Sequence, residues 1–460
     1  MGEVSGGRLV AKALKAEGVK YIFTLNGGHI YNIFEGCADE GIDIIDVRHE
    51  QVAGHAAEGW SRVTRTPGVA VVTAGPGVTD TVTAMANAYQ APSPMICIGS
   101  NSGVKDQLMG GLQDFDSVTL MQSVSNFSER CALTNRVPDY VATAFRWSTT
   151  GRMGPSYIEF PTDVLNAKVD EDNVVYPKNY RTNARIPGDP ELIREAAQLI
   201  KGAKRPVVMA GSDVWWTDGA ATLRDLIESI KAPVFLNGMG RGSISPDHPQ
   251  FGAQSRRFAL TQADLVILIG VPIDFRMSFG RNTLIPDETK LVHIMSDPRE
   301  IGRNRGNDVG LIGNARLIME QILDELPSVG FETTGDWVEK VHEEEMGFRE
   351  ADLELMKTDQ SPIHPMRFVG EIRNFLDRDA TVVGDGGDIV TFGARGIPIH
   401  APGHWLDPGQ FGCLGVGTGF SLAAQLARPG KQVLLLNGDG GFGLNGMDME
   451  TMVRFKLPVV

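Results

Sequence analysis

Glycine-rich turns at the ends of short apolar runs are the feature that most constrains the fold of this chain. Glycine accounts for 54 of the 460 residues, about 12% against an average near 7%. The turns follow β-branched apolar runs at 21–25, 43–47, 68–73 and 94–99, and amphipathic stretches with helical spacing separate these runs. This alternation predicts an α/β fold of doubly wound parallel sheets, in which ligands bind at the carboxyl ends of the strands.

The same alternation of strands and helices returns twice further along the chain. A second α/β stretch follows a polar linker at 170–187, and a third follows a highly charged stretch. We therefore predict three consecutive doubly wound domains, at 1–168, 188–345 and 366–460. The third is about 70 residues shorter than the first, so we expect the sequence to be C-terminally incomplete.

Composition excludes several classes of function. The formal net charge is −14 and there is no long Lys/Arg block, which argues against nucleic acid or an anionic membrane as the main partner. No apolar run approaches the ~18 residues of a membrane span, and no signal-type apolar stretch follows the start, so we expect a cytoplasmic protein. The four cysteines are scattered without a CxxC pair, which indicates neither a disulfide framework nor a zinc site.

The strongest local motif is the sequence LLLNGDG at 434–440. It places Asp439 between two glycines at the end of an apolar strand, directly before a helix. Glycines let the backbone approach a phosphate, and a carboxylate there can hold a divalent cation that bridges phosphate oxygens. Such an acid also occurs in purely structural tight turns, so the motif needs the support of others.

Other strand ends carry turns of the same type. In RHE at 48–50, Glu50 begins a helix, where an acid is favourable with or without a ligand. The sharp turns GGH at 27–29 and AGPG at 74–77, and DGGD at 385–388 in the last domain, also follow strands. A single histidine such as His29 is equally well explained as a solvated histidine in a loop. Several such turns at strand ends are together typical of a ligand site.

In combination these motifs resemble thiamine-diphosphate enzymes of the acetolactate-synthase-like superfamily. RHE and AGPG lie in the first predicted domain and GDG lies in the last, and the resemblance covers the whole chain in the order pyrimidine-binding, middle and diphosphate-binding domain. The resemblance implies thiamine diphosphate and Mg²⁺ as cofactors, with Glu50 on the pyrimidine ring and Asp439 on the metal. It implies that Leu414 wedges the cofactor into its bent form. It also implies a homodimer or homotetramer, because Glu50 and Asp439 then reach one cofactor from different subunits.

The resemblance further implies that the residues of these turns line the cofactor: Gly28, Gly75, Pro76, Asp385, Gly386, Gly387, Gly412, Gly438, Gly440 and Gly441. The family also has an Asn beyond its GDG motif as a second metal ligand, and that position would lie past Val460. We therefore expect the 460-residue chain to bind the cofactor poorly and to turn over little.

In detail the motifs look most like those of 2-hydroxyacyl-CoA lyases, which cleave a 2-hydroxyacyl-CoA into an aldehyde or ketone plus formyl-CoA and run the reverse condensation. The likeness rests on GGHI at 27–30, TAGPGVTDTVT at 73–83, IDFRMSFGR at 273–281 and FGCLGVGTG at 411–419. It implies that His29 and Gln113 lie beside the cofactor's reactive carbon. His29 would then act as a base or an orienting group for the 2-hydroxyl.

For a lyase, the phosphates of CoA need cations, and we expect Arg276 and Arg281 to supply them. Arg299 lies in a similar place, and for each arginine a surface ion pair is a simpler explanation. The substrates would be an acyl-CoA and a small carbonyl compound.

Two alternatives stay open. An acetolactate synthase would condense 2-oxo acids with decarboxylation and carry FAD in the middle domain. Its usual Arg-Phe-Asp-Asp-Arg stretch is replaced here by DFRM at 274–277, which weakens that interpretation. A non-catalytic homologue that only binds cofactor or nucleotide is the second alternative, and the retained Glu50 and Asp439 argue against it.

Overall fold

The computed structural model describes residues 2–331 and 335–460. Met1 and 332–334, the latter within the predicted middle domain, lie outside the described residues. The chain divides into two compact units: Met1–Thr182 with Val382–Asp388 and Asp407–Val460, and Asn183–Thr381 with Ile389–Leu406. The domain bounds expected from the sequence stay a prediction.

The first unit begins with a six-stranded sheet whose strands are all parallel, in the order β3–β2–β4–β5–β7–β6, and with a short antiparallel pair, β1 and β8. Its elements in chain order are β1 (Glu3–Ser5), α1 (Gly6–Ala16), β2 (Tyr21–Thr24), α2 (Tyr31–Glu40), β3 (Asp43–Asp46), α3 (Glu50–Thr64), β4 (Gly68–Val71), α4 (Pro76–Thr79), α5 (Val82–Gln90), β5 (Met95–Asn101), α6 (Ser117–Gln122), β6 (Phe127–Arg130), α7 (Val137–Thr149), β7 (Pro155–Pro161), α8 (Thr162–Asn166) and β8 (Lys168–Asp170).

Helices cover both faces of this sheet, as a doubly wound fold requires. Ile22 packs in a core with Leu9 of α1 and Val141 of α7, whereas its neighbour Phe23 points to the other face, where Val52 of α3 contributes to a second core. Because both faces are covered, β4, β5 and β7 are buried along their whole length. This burial explains why their sequences are nearly continuous apolar runs.

The strand order places two loops side by side at the carboxyl edge of the sheet. From β2 the chain passes through α2 to β3 on one side, and then through α3 to β4 on the other side of β2. The direction of winding therefore reverses between β2 and β4. A crevice opens at such a switch point, and ligands of open α/β sheets bind there.

The second unit contains another parallel six-stranded sheet, in the order β11–β10–β9–β12–β13–β14, which reverses between β9 and β12. Up to residue 375 its elements are α9 (Pro190–Gly202), β9 (Pro206–Ala210), α10 (Ser212–Trp216), α11 (Ala220–Ile230), β10 (Val234–Leu236), β11 (Phe251–Gly252), α12 (Arg256–Gln262), β12 (Leu265–Ile269), β13 (Lys290–Met295), β14 (Val309–Ile312), α13 (Ala315–Glu325), α14 (Trp337–Leu355) and α15 (Pro365–Phe375).

From residue 381 the elements are β15 (Thr381–Asp385), α16 (Asp388–Gly396), β16 (Trp405–Leu406), α17 (Val416–Ala427), β17 (Val433–Asn437), α18 (Asp439–Asn445) and α19 (Met449–Arg454). β15 and β17 are neighbours in a three-stranded sheet. Beyond α19, Val459 forms one parallel bridge with Val433 at the start of β17.

Helix α17 packs closely against α3 in the first unit, and glycines make this possible. A Cβ at Gly59 would lie 2.8 Å from the Cα of Phe420, and a Cβ at Gly419 would lie 2.7 Å from the Cβ of His55. The helices therefore contact each other through backbone at both positions. Among the described residues, no helix combines the length and the apolar character that crossing a bilayer requires.

Candidate functional site

The loops after β2 and β4 meet at the switch point of the first sheet. His29 lies in a 3₁₀ turn (Gly28–Ile30) after β2, and its Nδ1 is 3.2 Å from the Oγ1 of Thr73 after β4. A Cβ at Gly27 would come within 2.4 Å of the Thr73 Cβ. The absence of a side chain at Gly27 therefore lets the imidazole of His29 reach across the crevice.

Glu50 lies beside this contact as the first residue of α3. Its side chain is buried, and burial raises the pKa of its carboxyl, with the negative charge of Asp80 acting in the same direction and His49 opposing it. A Cβ at Gly77 would lie 2.8 Å from Thr73 Cγ2 and 3.4 Å from Glu50 Oε1. The structure thus brings both side chains to the same crevice. The ring of His29 contacts Thr73, and the carboxylate of Glu50 lies near Gly77.

Asp80 was not singled out in the sequence, although it lies within the TDT of the third turn. Ligand atoms of His49, Glu50 and Asp80 all lie within 4.8 Å of one another. This group could attract a cation, and it adds negative charge next to Glu50. Asp80 lies in the short break between α4 and α5.

Gln113 is also brought to this edge of the sheet. Its backbone is in the left-handed region, with φ of 60°, and a Cβ at Gly75 would lie 2.8 Å from its carbonyl oxygen. The loop is held from below because Asn101 Nδ2 donates to Phe115 O at 2.7 Å and to the buried carboxylate of Glu159 at 3.1 Å. Pro76 follows Gly75 as the first residue of α4.

In the last part of the first unit, Asp385 ends β15 with a buried carboxylate. Its Oδ1 accepts a hydrogen bond from Gly415 N at 3.1 Å and its Oδ2 accepts one from Gly417 N at 2.8 Å. Its carbonyl accepts one from Gly438 N at 2.8 Å. The pKa of Asp385 is raised, because the effect of burial outweighs the opposing effect of the two amide donors. Asp385 therefore holds two turns in place, and its direct contact with a ligand stays a prediction.

The GDG turn lies next to the turn that carries Leu414. Asp439 is exposed as the first residue of α18, and a Cβ at Gly440 would lie 3.4 Å from Leu414 Cδ1. A Cβ at Gly441 would come within 2.5 Å of the side-chain oxygens of Asn437 and Asp385. The predicted residues Leu414, Gly440 and Gly441 are thus brought together.

Asn437, the residue before GDG, was missed in the sequence. Both polar atoms of its side-chain amide are shielded from solvent, and neither has a hydrogen-bond partner among the residues that the structure describes. A buried amide without partners is costly, and bound ligands commonly account for one. Its position at the end of β17 was the signal that could have identified it.

For the remaining turn residues the structure shows position alone. Gly412 and Gly386 have φ of 65° and 141°, which favours glycine with or without a ligand. At Gly28 and Gly387 there is open space where a Cβ would stand. Nothing steric in the described residues therefore requires glycine at these two positions.

The arginines predicted to bind CoA lie in the second unit, where two of the three are paired with acids. The guanidinium of Arg276 forms a forked hydrogen bond with Asp274, with Nε 3.1 Å from both carboxylate oxygens and NH2 2.6 Å from Oδ2. Arg299 pairs with Asp297 at 2.9 Å. Arg281 is exposed and stacks on the ring of Phe279 with 5.0 Å between its Cζ and the ring centroid.

Comparison with known proteins identifies the family. Three family models match in order, described as the N-terminal TPP binding domain, the central domain and the C-terminal TPP binding domain of thiamine pyrophosphate enzymes, over residues 4–120, 193–322 and 385–460. The chain belongs to the thiamine pyrophosphate enzyme family. The family predicted from RHE, AGPG and GDG is therefore confirmed, as is the α/β fold of three successive domains.

Relatives of this thiamine pyrophosphate enzyme carry two different names. It is 40% identical to a "Probable acetolactate synthase" of Mycobacterium bovis over 99% of this chain and 82% of the relative. It is 34% identical to "2-hydroxyacyl-CoA lyase 2" of Homo sapiens over 99% of this chain and 77% of the relative. A "Probable acetolactate synthase large subunit" of Methanocaldococcus jannaschii is 31% identical, over 99% and 79%. The relatives show the family and leave the reaction open.

The residues present in this thiamine pyrophosphate enzyme fit the cofactor that its family name implies. The crevice at β2 and β4 offers a buried carboxylate at Glu50, and the GDG turn offers an unpaired buried amide at Asn437 beside Gly441. An acid suits a pyrimidine nitrogen, and an amide with glycines suits phosphate oxygens or the water around a cation.

Proposed function

We propose that this enzyme binds thiamine diphosphate with Mg²⁺ and cleaves the C1–C2 bond of a 2-hydroxyacyl-CoA, giving an aldehyde or ketone and formyl-CoA, and that it runs the reverse condensation. The observation that carries the proposal is the contact of His29 with Thr73 beside buried Glu50. It places an imidazole, which can donate or accept a hydrogen bond, beside a buried carboxylate at the switch point of the first sheet. The relatives named 2-hydroxyacyl-CoA lyase 2 support it.

In this proposal the cofactor is held from two sides. Glu50 would bond the pyrimidine ring, Asn437 and the backbone from Gly438 to Gly441 would hold the diphosphate, and Asp439 would ligate the metal. Leu414, over the GDG turn, would pack against the bound cofactor. Bound thiamine diphosphate supplies the nucleophilic carbon and the electron sink that breaking a carbon–carbon bond needs.

The chain's own residues then handle protons and orientation. Glu50, whose pKa is raised by burial, holds and returns a proton at a ring nitrogen. Thr73 occupies Nδ1 of His29, so Nε2 is the atom that exchanges a proton with the substrate 2-hydroxyl. The backbone of Gln113 lies against Gly75, and its side-chain amide would orient the thioester carbonyl.

Assembly and the CoA moiety complete the proposal. We infer a homodimer or homotetramer in which Glu50 of one subunit and Asp439 of another serve one cofactor. Arg281, exposed, would reach the CoA phosphates without rearrangement. Arg276 would first have to exchange its forked bond with Asp274 for a phosphate, which is costly because such charge-assisted pairs are strong.

A second candidate is an acetolactate synthase that condenses 2-oxo acids with decarboxylation and carries FAD in its middle domain. Two observations favour it. Arg276 is already engaged by Asp274, and the Mycobacterium bovis relative with 40% identity carries the synthase name.

The deciding experiment is analysis of products by mass spectrometry. The protein, with thiamine diphosphate and Mg²⁺, is incubated with formyl-CoA and a panel of aldehydes and ketones, and in parallel with pyruvate and FAD. A 2-hydroxyacyl-CoA product that disappears in Glu50→Gln supports the lyase. Acetolactate together with tight FAD uptake, and no CoA-ester product, would overturn it. Cofactor binding without either product would favour the non-catalytic alternative.

A further inference from the structure

A network of buried charged side chains lies on α3, the helix whose first residue is Glu50. Glu58 and His55 are fully buried, and Arg62 is almost so. Arg62 NH2 lies 2.7 Å from Glu58 Oε1, and Asn87 Nδ2 donates to both oxygens of the same carboxylate, at 3.0 and 2.8 Å. None of these residues has a part in the proposed reaction.

Glu58 is held in its ionised form. Burial alone would raise its pKa, but Arg62, His55 and the amide of Asn87 outweigh burial and lower the pKa of Glu58. A buried ion pair of this kind is often no more stabilising than apolar side chains of the same volume. Stability alone therefore does not explain why this ion pair is present, which leaves room for a role in holding neighbouring segments in place.

The network reaches the segment that precedes α17 at two points. His55 lies between Glu58 and Cys413, with Nδ1 3.9 Å from Glu58 Oε2 and Nε2 3.9 Å from Cys413 Sγ. Arg62 NH1 donates to the carbonyl of Asp407 at 2.5 Å. Residues 407–413, the strap, are thus attached to α3 at both ends, and the next residue is Leu414.

The other side of the same turn is fixed by the last sheet. Asp385 binds the amides of Gly415 and Gly417, and Asn445 Nδ2 donates to Gly415 O at 2.7 Å. Leu414 itself is 38% exposed, so few side chains pack around it. Its place beside the GDG turn is set by the backbone of its own turn, which is held on one side by Asp385 and Asn445 and on the other side by α3.

We propose that Glu58 is a positioning residue: through His55 and Arg62 it holds the strap so that Leu414 stands over the GDG turn, and it thereby sets the affinity for thiamine diphosphate. The proposal rests on the cofactor site proposed above. It does not depend on whether the reaction is that of a lyase or of a synthase.

The test compares Glu58→Gln with a matched control, Glu345→Gln. Glu345 is also a buried helix carboxylate with an arginine four residues later, Arg349, and it accepts bonds from Ser255 in the second unit. The dissociation constant for thiamine diphosphate with Mg²⁺ is measured by calorimetry. Hydrogen exchange is followed by mass spectrometry in peptides that cover 409–417, without cofactor.

We expect Glu58→Gln to raise the dissociation constant at least tenfold and to speed exchange at the Gly415 and Gly417 amides at least tenfold, while Glu345→Gln changes neither. At saturating cofactor the substrate KM should be unchanged. A lowered melting temperature with unaltered affinity and exchange would show a merely structural role and overturn the proposal.

Two further outcomes are decisive. If the wild-type chain takes up no thiamine diphosphate, the proposed cofactor site fails, and the exchange data without cofactor still judge whether Glu58 holds the strap. If Glu58→Gln does not fold, Cys413→Ala and His55→Gln remove the contact to the strap without unpairing Arg62. Unchanged exchange at 409–417 in both of these variants would overturn the proposal.

Discussion

Glu50 and Glu58 lie about two turns apart on the same helix, and their surroundings shift their pKa values in opposite directions. Replacing each by glutamine keeps the shape of the side chain and removes only its charge. The pair therefore offers a direct comparison between a carboxylate that serves the proposed chemistry and one that holds the structure.

For Glu50→Gln we expect loss of activity with little change in stability. The pKa of Glu50 is raised in the folded state, so its contribution to stability is present at low pH and is lost as pH rises through that pKa. Near neutral pH the variant loses a favourable charge at a helix N-terminus, which costs about 0.3–1 kcal/mol. It is also relieved of the cost of burying the Glu50 charge, and the two effects partly cancel. The free energy of unfolding should stay within about 1 kcal/mol, whereas turnover should fall by about 10²–10⁴-fold.

For Glu58→Gln we expect a large loss of stability, in contrast to the small change expected for Glu50→Gln. The variant leaves the guanidinium of Arg62 buried without its carboxylate, which costs about 3–5 kcal/mol. Because the folded-state pKa of Glu58 is lowered, the wild-type contribution is present above the pKa of the unfolded chain and is lost as pH falls through the folded value. The difference in stability between wild type and variant should therefore shrink in acid.

Urea unfolding of wild type and both variants from pH 3 to pH 9, a range that extends below the ordinary carboxyl pKa, provides the assay, and activity is measured on the same samples near neutral pH. The reasoning would be refuted if Glu50→Gln lost as much stability as Glu58→Gln at neutral pH. It would be refuted equally if Glu50→Gln retained wild-type turnover with thiamine diphosphate and Mg²⁺ present.

Four other outcomes can be checked. His29→Ala should lower kcat by about 10²-fold or more with the affinity for thiamine diphosphate unchanged, and wild-type turnover would remove the role of His29. Gly75→Ala should cost about 1–3 kcal/mol in urea unfolding, because φ is 55° and the new Cβ would press on Gln113 O at 2.8 Å; an unaltered midpoint would contradict this. EDTA should abolish thiamine diphosphate binding in calorimetry and added Mg²⁺ should restore it, whereas binding that persists in EDTA would argue against the metal. Arg281→Ala should raise the KM for a CoA ester severalfold with kcat unchanged, and an unaltered KM would exclude Arg281 from the substrate site.

The main sheets could be predicted because their strands are buried on both faces. The apolar run at 68–73, for example, contains β4 (Gly68–Val71), in which every residue is buried. The sequence pattern does not predict β1, β6, β8, β11, β14 or β16, which are strands of two to four residues at a sheet edge or in a two-stranded pair. Strands this short give too few positions for an apolar run to stand out, and in β6 (FSER) only Phe127 is apolar.

The candidate site was predictable where a motif fixes the backbone and unpredictable where side chains choose partners. The GGH and AGPG turns led to the crevice because glycine patterns report backbone geometry. The carboxylate of Asp385 binding backbone amides, the fork of Arg276 on Asp274 and the unpaired amide of Asn437 depend on side-chain directions. No spacing along the chain encodes these directions, because the partners come from different elements.

The close backbone contact of α3 and α17 also bears on how the chain acquires its structure. The two helices are separated by the whole of the second unit in sequence, so their contact closes a very long loop. Contacts of such long range form late, because loop-closure entropy must be met before they contribute. During synthesis α3 leaves the ribosome long before α17, so the contact between them cannot form until α17 has followed. The strap and Leu414, which α3 and α17 flank, can take their places only after that, so a ligand site at the GDG turn should appear later in folding than the first sheet.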